Sequence, residues 1–275
     1  MLVTQKFVYI HQPKTGGTFV SSMLMWLHEE RGGTVTTIRI DPTQPAELPP
    51  LAPNEVLFVM LTTRGQHGGR KDIPAIYRDR PIVATVRNPY DRYVSQYEFA
   101  WWRRDPEMFG PVADVTRRYP TYPDLTFEQF VYLTNETSLP YRSANHPADT
   151  PGRHTQEFVK FFFRDPDAAY PRLLDATFTA TVPDDELQGI RFVDQARLND
   201  ELAELLTEWG YPASEVRAVR DAEHIWPPSP GSRRAPGSAW EPYYTPELKA
   251  FVRHKERWLF EWFPRWQTEN ANADD

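Results

Sequence analysis

Apolar residues recur along this chain with two different periods. Residues 6–11 read as a short buried strand, and residues 18–31 as a helix whose Phe19, Met23, Trp26 and Leu27 share one face. Gly32 and Gly33 supply its stop. Further strands are expected at 35–40, 56–61 and 81–86, the second a continuous apolar run suited to a parallel strand covered on both faces. The last of them feeds a helix expected over 89–104. Strands alternating with helices predict an α/β fold, a P-loop-like central parallel sheet, doubly wound and flanked by helices.

The second half is more helical. Thr126 and Gln129 form a capping box ahead of Phe127, Phe130, Val131 and Leu133. Residues 196–209 are amphipathic and are closed by Gly210. Thr245 and Pro246 open a further helix running through Phe251, Trp258 and Phe260. Neither an internal repeat nor a long low-complexity linker divides the chain, so residues 1–275 read as a single domain with a nucleotide-binding first hundred.

Composition narrows the classes. With 40% hydrophobic and 14% aromatic residues in 275, a packed core is expected, and many of the 27 prolines fall in connecting stretches such as 41–53 and 227–236. A net charge of −7 argues against nucleic acid or an anionic membrane as partner. The absence of cysteine excludes disulfides, thiol nucleophiles and thiolate metal sites. The early Lys6 does not suit a signal peptide, and no apolar stretch approaches the roughly 18–20 residues of a membrane helix. These patterns predict no integral membrane segment and a cytoplasmic protein.

Two strand–turn–helix passages carry the chemistry. In "HQPKTGGTF", residues 11–19, a helix N-terminus offers backbone N–H groups and the positive end of its dipole to an anion. Gly16 and Gly17 allow close backbone approach, Thr15 and Thr18 add hydroxyls, and Lys14 adds a point charge. The lysine precedes the glycines, so the G-x-x-x-x-G-K-[ST] nucleotide loop is not matched. Residues 56–61 run into Thr62, Thr63 and Arg64 rather than the carboxylate of a magnesium site. In "ATVRNPYDRYVSQY", residues 84–97, Arg87 stands at a strand end and Ser95 two turns into the following helix. A guanidinium and a hydroxyl suit a second phosphate.

The first passage resembles the 5′-phosphosulfate loop, and the second the 3′-phosphate motif, of sulfotransferases, especially the Golgi-type carbohydrate enzymes and their bacterial relatives. The resemblance implies transfer of a sulfuryl group from 3′-phosphoadenosine 5′-phosphosulfate (PAPS) to a hydroxyl, without a metal, leaving adenosine 3′,5′-bisphosphate (PAP). Carried over, Lys14 would assist the leaving oxygen, Thr15, Gly16, Gly17 and Thr18 would hold the 5′-phosphate, and Arg87 and Ser95 the 3′-phosphate. Asn88 stands where the family often has Asp. "GSRRAPGSAWEPYYTPEL", residues 231–248, resembles the family's late nucleotide loop, which would make Ser232 and Arg234 phosphate contacts. Residues 192–211 are similar to a structural helix of the family.

A base is needed for the acceptor proton. His67, in "TTRGQHGGR", is similar in position to the family's glycine–histidine element and is the expected base. His11 and Glu98 are alternatives, and His146 and His154 fall in a proline-rich middle segment suited to an acceptor cleft. The basic run Arg64, Arg70, Lys71, Arg78 and Arg80 suits either an anionic acceptor or a solvated face. Trp101 and Trp102 suit either a stacking acceptor or the core. A carbohydrate hydroxyl is the first acceptor considered, a small-molecule or lipid-linked one the second. The rivals are a P-loop kinase and a non-catalytic nucleotide-binding protein.

Overall fold

A computed structural model describes residues 1–43, 48, 50–137, 150–173, 186–223 and 239–269. Among these residues, six strands form one sheet: β1 (Leu2–Val3), β2 (Val8–Ile10), β3 (Thr34–Ile40), β4 (Glu55–Leu61), β5 (Ile82–Val86) and β6 (Ile190–Asp194), in the order β3-β4-β1-β2-β5-β6. The pairs β3–β4, β2–β5 and β5–β6 are parallel, while β1 is antiparallel to both β2 and β4. Five strands therefore point one way, and β1 alone is reversed. The mostly parallel α/β sheet flanked by helices agrees with the alternating pattern; the antiparallel β1 is a two-residue strand too short to show a period.

Helix α1 (Gly17–Glu30) covers one face of this sheet. Phe7, Tyr9 and Val83 project to that face, where they meet Phe19, Val20, Met23, Leu24 and Leu27. Helices Leu198–Glu208 and Ala213–Asp221 complete the cluster through Leu202, Leu206, Val216 and Val219. Burying each of these large side chains is worth roughly 1.5–3 kcal/mol. Asn199 fixes the last two helices together: its amide donates to the carbonyls of Val219 (3.0 Å) and Ala222 (2.8 Å). The helix expected at 196–209 begins at Leu198, after Phe192–Asp194 has finished β6 and a turn of 3₁₀ helix has passed Gln195–Arg197. Asp194 caps that turn by accepting from the Ala196 amide at 3.0 Å.

The chain divides into two compact units. The sheet and the elements above belong to the first, made of the described residues of Met1–Arg87, Phe161–Arg164 and Glu186–Pro230. The second holds the described residues of Asn88–Lys160, Asp165–Asp185 and Gly231–Asp275 and is helical. It begins with α2 (Pro89–Phe99), capped by Asn88, whose side chain accepts from the Tyr90 amide. Asn88 thus serves as a helix cap, a role that Asn and Asp fill equally well. α2 stops at Ala100, which turns into the left-handed region at φ 50°, and Trp101–Arg103 follow as 3₁₀ helix. The expected end at residue 104 lies five residues too late because no glycine or proline marks the break.

The Thr126–Gln129 capping box is present, at the start of helix Phe127–Glu136. The Thr245 cap opens helix Pro246–Lys255, which ends at Glu256 before a separate helix Arg257–Trp262. The pattern predicts one continuous helix there. Glu256 is instead fully buried, and its carboxylate accepts from the His154 amide (3.0 Å), the Thr155 amide (2.8 Å), the Thr155 hydroxyl (2.7 Å) and Tyr93 (2.6 Å). A side chain from the far end of the sequence thereby caps helix Arg153–Phe162. Burial raises the Glu256 carboxyl above its ordinary range, against the pull of these donors.

Candidate anion-binding site

In a parallel sheet, ligands gather beyond the carboxyl ends of the strands, where chain direction across the sheet reverses. Here β2 and β5 lie side by side, with β2 leading through α1 to β3 on one side and β5 adjoining β6 on the other. The loop 11–16 after β2 and Arg87 after β5 therefore leave the sheet as neighbours. Arg87 Nη1 lies 3.4 Å from the Lys14 carbonyl, as donor to it. The structure brings together in the first unit the loop, Arg87 and His67.

The loop is shaped by two left-handed residues, Lys14 (φ 64°) and Gly16 (φ 90°). Glycine adopts that conformation freely, whereas lysine does so at a cost of about 1–2 kcal/mol. Gly16 is the N-cap of α1 and provides no side-chain cap, so the first amides of the helix, on Gly17, Thr18 and Phe19, lack an intrahelical acceptor. Thr18 is exposed at this end. Gly17 has a separate reason to be glycine: a Cβ there would stand 2.2 Å from Cδ2 of His11.

Thr15 is placed differently from Thr18. It is fully buried, and its hydroxyl lies 2.9 Å from the Gln12 carbonyl and 2.8 Å from the hydroxyl of Thr85. Its side chain is thus used inside the protein, and its backbone amide is what it has to offer an anion.

His67 follows β4 in a loop that turns at Gly65 (φ 56°) and is held by Asp72, which accepts from Arg64 (2.9 Å) and from the Gly69 amide (2.8 Å). Its Nδ1 lies 3.1 Å from the carbonyl of His11, and the two imidazoles meet edge to face with centroids 4.9 Å apart. A carbonyl only accepts, so Nδ1 carries the proton of the neutral ring and Nε2 carries its lone pair. His11 is buried, and burial, reinforced by His67, lowers its pKa to about 3. Its Nδ1 has no hydrogen-bond partner among the described residues. His11 is a neutral packing residue under Gly17.

Most of the basic run is engaged within the fold. Arg64 pairs with Asp72, Arg70 donates to the carbonyls of Glu186 and Phe162, Arg78 to that of Ile73, and Arg80 to that of Thr4 while lying over Tyr77. Arg64 thus meets a carboxylate and Arg70, Arg78 and Arg80 meet carbonyls, partners that no charge pattern reveals, while Lys71 and Arg78 are exposed.

The remaining candidates lie in the second unit. Ser95 is half-buried on α2. Arg92, which the motif places between Arg87 and Ser95, is buried in an ion pair with Glu157 at 2.5 Å; Glu157 also accepts from Arg153 at 2.8 Å. Burial pushes the Glu157 carboxyl up, but the two guanidiniums outweigh it and leave the group below its ordinary range. Glu98 accepts from Tyr243 at 2.7 Å. His154 is buried, stacked on Tyr93 with centroids 3.9 Å apart and 3.1 Å from the Gln96 side chain, so it packs the interior of this unit. Trp102 is a core residue donating to the Pro123 carbonyl at 2.8 Å, and Trp101 is exposed. Ser232, Arg234 and His146 lie outside the described residues.

Among the described residues, no cluster of three or more His, Cys, Asp or Glu could hold a metal ion, and no helix is long and apolar enough to cross a membrane.

No family model matches the chain, and no curated protein matches it. Among solved structures it is similar to the crystal structure of mouse sulfotransferase SULT7A1 complexed with PAP, at 13% identity and a TM-score of 0.46, over 93% of this chain and 83% of that one. A likeness at that level is too distant to carry function from one chain to the other.

Proposed function

We propose that the protein is a PAPS-dependent sulfotransferase. The observation that carries the reading is the meeting, at neighbouring strand ends, of an uncapped helix N-terminus, Lys14 and Arg87. An amide cradle and two cations suit a doubly anionic nucleotide, and the lysine-first order suits a phosphosulfate better than a metal-bound triphosphate. Gly16, Gly17, Thr18 and the Thr15 amide would hold the 5′-phosphate. Arg87 would read the 3′-phosphate that distinguishes PAPS from ATP. Ser95, Ser232 and Arg234 are kept in the proposal on their motifs alone.

His67 Nε2 would take the proton of the acceptor hydroxyl as the acceptor oxygen bonds to sulfur. The bond between sulfur and the bridging oxygen breaks, and Lys14 stabilises the charge left on the departing PAP. A carbohydrate hydroxyl is the proposed acceptor, supported by the motif resemblance, within a single domain spanning residues 1–275 in a cytoplasmic setting.

Thermal shift separates the rivals. PAP is expected to stabilise the protein and magnesium–ATP to leave it unchanged; stabilisation by ATP alone would remove the proposal. With binding established, labelled PAPS and an acceptor panel test transfer. His67→Ala should then lose roughly 10²–10⁴-fold in kcat while keeping PAP affinity.

A further inference from the structure

Beneath the anion loop runs a chain of three buried hydroxyls. Tyr9 on β2, Thr85 on β5 and Thr15 in the loop are all fully buried. The Tyr9 and Thr85 oxygens lie 2.9 Å apart, and those of Thr85 and Thr15 2.8 Å apart. The register explains the first contact. Tyr9 pairs with Val83, and alternation along β5 brings Thr85 to the same face, diagonal to Tyr9 and on the side covered by α1.

The direction of the chain follows from proton counting. Thr15 donates its single proton to the Gln12 carbonyl at 2.9 Å, because that carbonyl can only accept. Its oxygen must then accept from Thr85, and Thr85 in turn from Tyr9. Tyr9 can fill this role because burial holds its phenol protonated, with a pKa raised above the ordinary tyrosine value. Only one arrangement satisfies all three groups. It ends on the carbonyl two residues before Lys14, whose own carbonyl receives Arg87. A non-glycine residue in the left-handed region persists only where its surroundings hold it there. The hydroxyl chain on one side and Arg87 on the other supply that constraint.

We propose that Thr85 is a positioning residue for the anion loop: through Thr15 it holds the turn that presents Lys14, and Tyr9 holds Thr85. Its bearing on transfer rests on the loop being the PAPS site, but its effect on the loop does not. Thr85→Val preserves shape while removing the link, and Thr85→Ser restores the hydroxyl without the methyl.

The test compares these variants and Tyr9→Phe by hydrogen–deuterium exchange of peptides covering residues 12–18, with PAP affinity and Tm measured alongside. Thr85→Val should exchange faster in that segment and lose about tenfold in PAP affinity, the size of one buried hydrogen bond. Thr85→Ser should recover both. Tyr9→Phe should act in the same direction and decides the matter if Thr85→Val does not fold. A lowered Tm with unchanged loop exchange and unchanged affinity, or a Thr85→Ser variant no better than Thr85→Val, would refute the assignment. Failure of the wild type to bind PAP would remove the sulfotransferase reading instead, and the exchange comparison would still decide the role of Thr85.

Discussion

The ring of His11 fills the space that any side chain on Gly17 would need, with a built Cβ only 2.2 Å from Cδ2 of the imidazole. The glycine is therefore required by a neighbour in the core, whatever the loop binds. Gly17→Ala should destabilise the protein by about 1–3 kcal/mol through overpacking, despite the better helix propensity of alanine. In a double-mutant cycle by urea unfolding, adding His11→Ala should recover part of that loss. Strictly additive costs would show that the two residues do not meet as described.

His11 also predicts an acid sensitivity. Its folded pKa is lowered to about 3, below the ordinary histidine value of 6.5, because burial disfavours the charged ring. Between those values the unfolded chain binds a proton that the folded one does not. The contribution is present in full above pH 6.5 and is lost as pH falls towards 3, at up to about 1.4 kcal/mol per pH unit. His11→Gln should flatten the fall in unfolding free energy between pH 6 and pH 4 by up to one proton's slope. An unchanged slope would show that His11 titrates normally.

The strand–turn–helix passages were legible because their signals are local: an apolar run, glycines, and a following helical period. β2, α1 and β5 lie close to where the pattern put them. What the pattern could not show depends on partners distant in sequence. Arg70 reads as a surface charge until the carbonyls of Phe162 and Glu186 are beside it. Thr15 reads as a ligand hydroxyl until Thr85, 70 residues on, is seen to face it. β6 was hidden because its five residues run straight into a helical pattern. Glu256 interrupts an apolar stripe without any helix-breaking residue, and its reason lies at His154 and Thr155, about a hundred residues back.

That buried carboxylate gives a stability prediction for the second unit. Four donors converge on Glu256, two of them backbone amides that cannot reverse their role. In Glu256→Gln one carboxylate oxygen becomes an NH₂ group. It then faces either the Thr155 amide or the His154 amide, donor against donor. The orphaned N–H should cost about 1–3 kcal/mol, read by urea unfolding. Glu256→Ala removes the acceptor altogether and should cost more. Equal stability of the Glu256→Gln variant and the wild type would mean that these amides find another acceptor.

Lys14 combines a backbone role and a side-chain role, and two substitutions separate them. Its φ of 64° strains any residue with a Cβ, while its ammonium is the group assigned to the leaving oxygen. Lys14→Ala and Lys14→Gly both remove the charge, so both should lose PAPS turnover to a similar extent, on the order of 10²–10³-fold. Their stabilities should differ. Glycine relieves a strain of about 1–2 kcal/mol, partly offset by its greater freedom in the unfolded chain, whereas alanine keeps the strain. Unfolding by urea should place Lys14→Gly at or above the wild type and Lys14→Ala below Lys14→Gly. If alanine proved the more stable, the left-handed turn would not be the conformation of this loop in solution. If either variant kept full turnover, the ammonium would have no part in sulfuryl transfer.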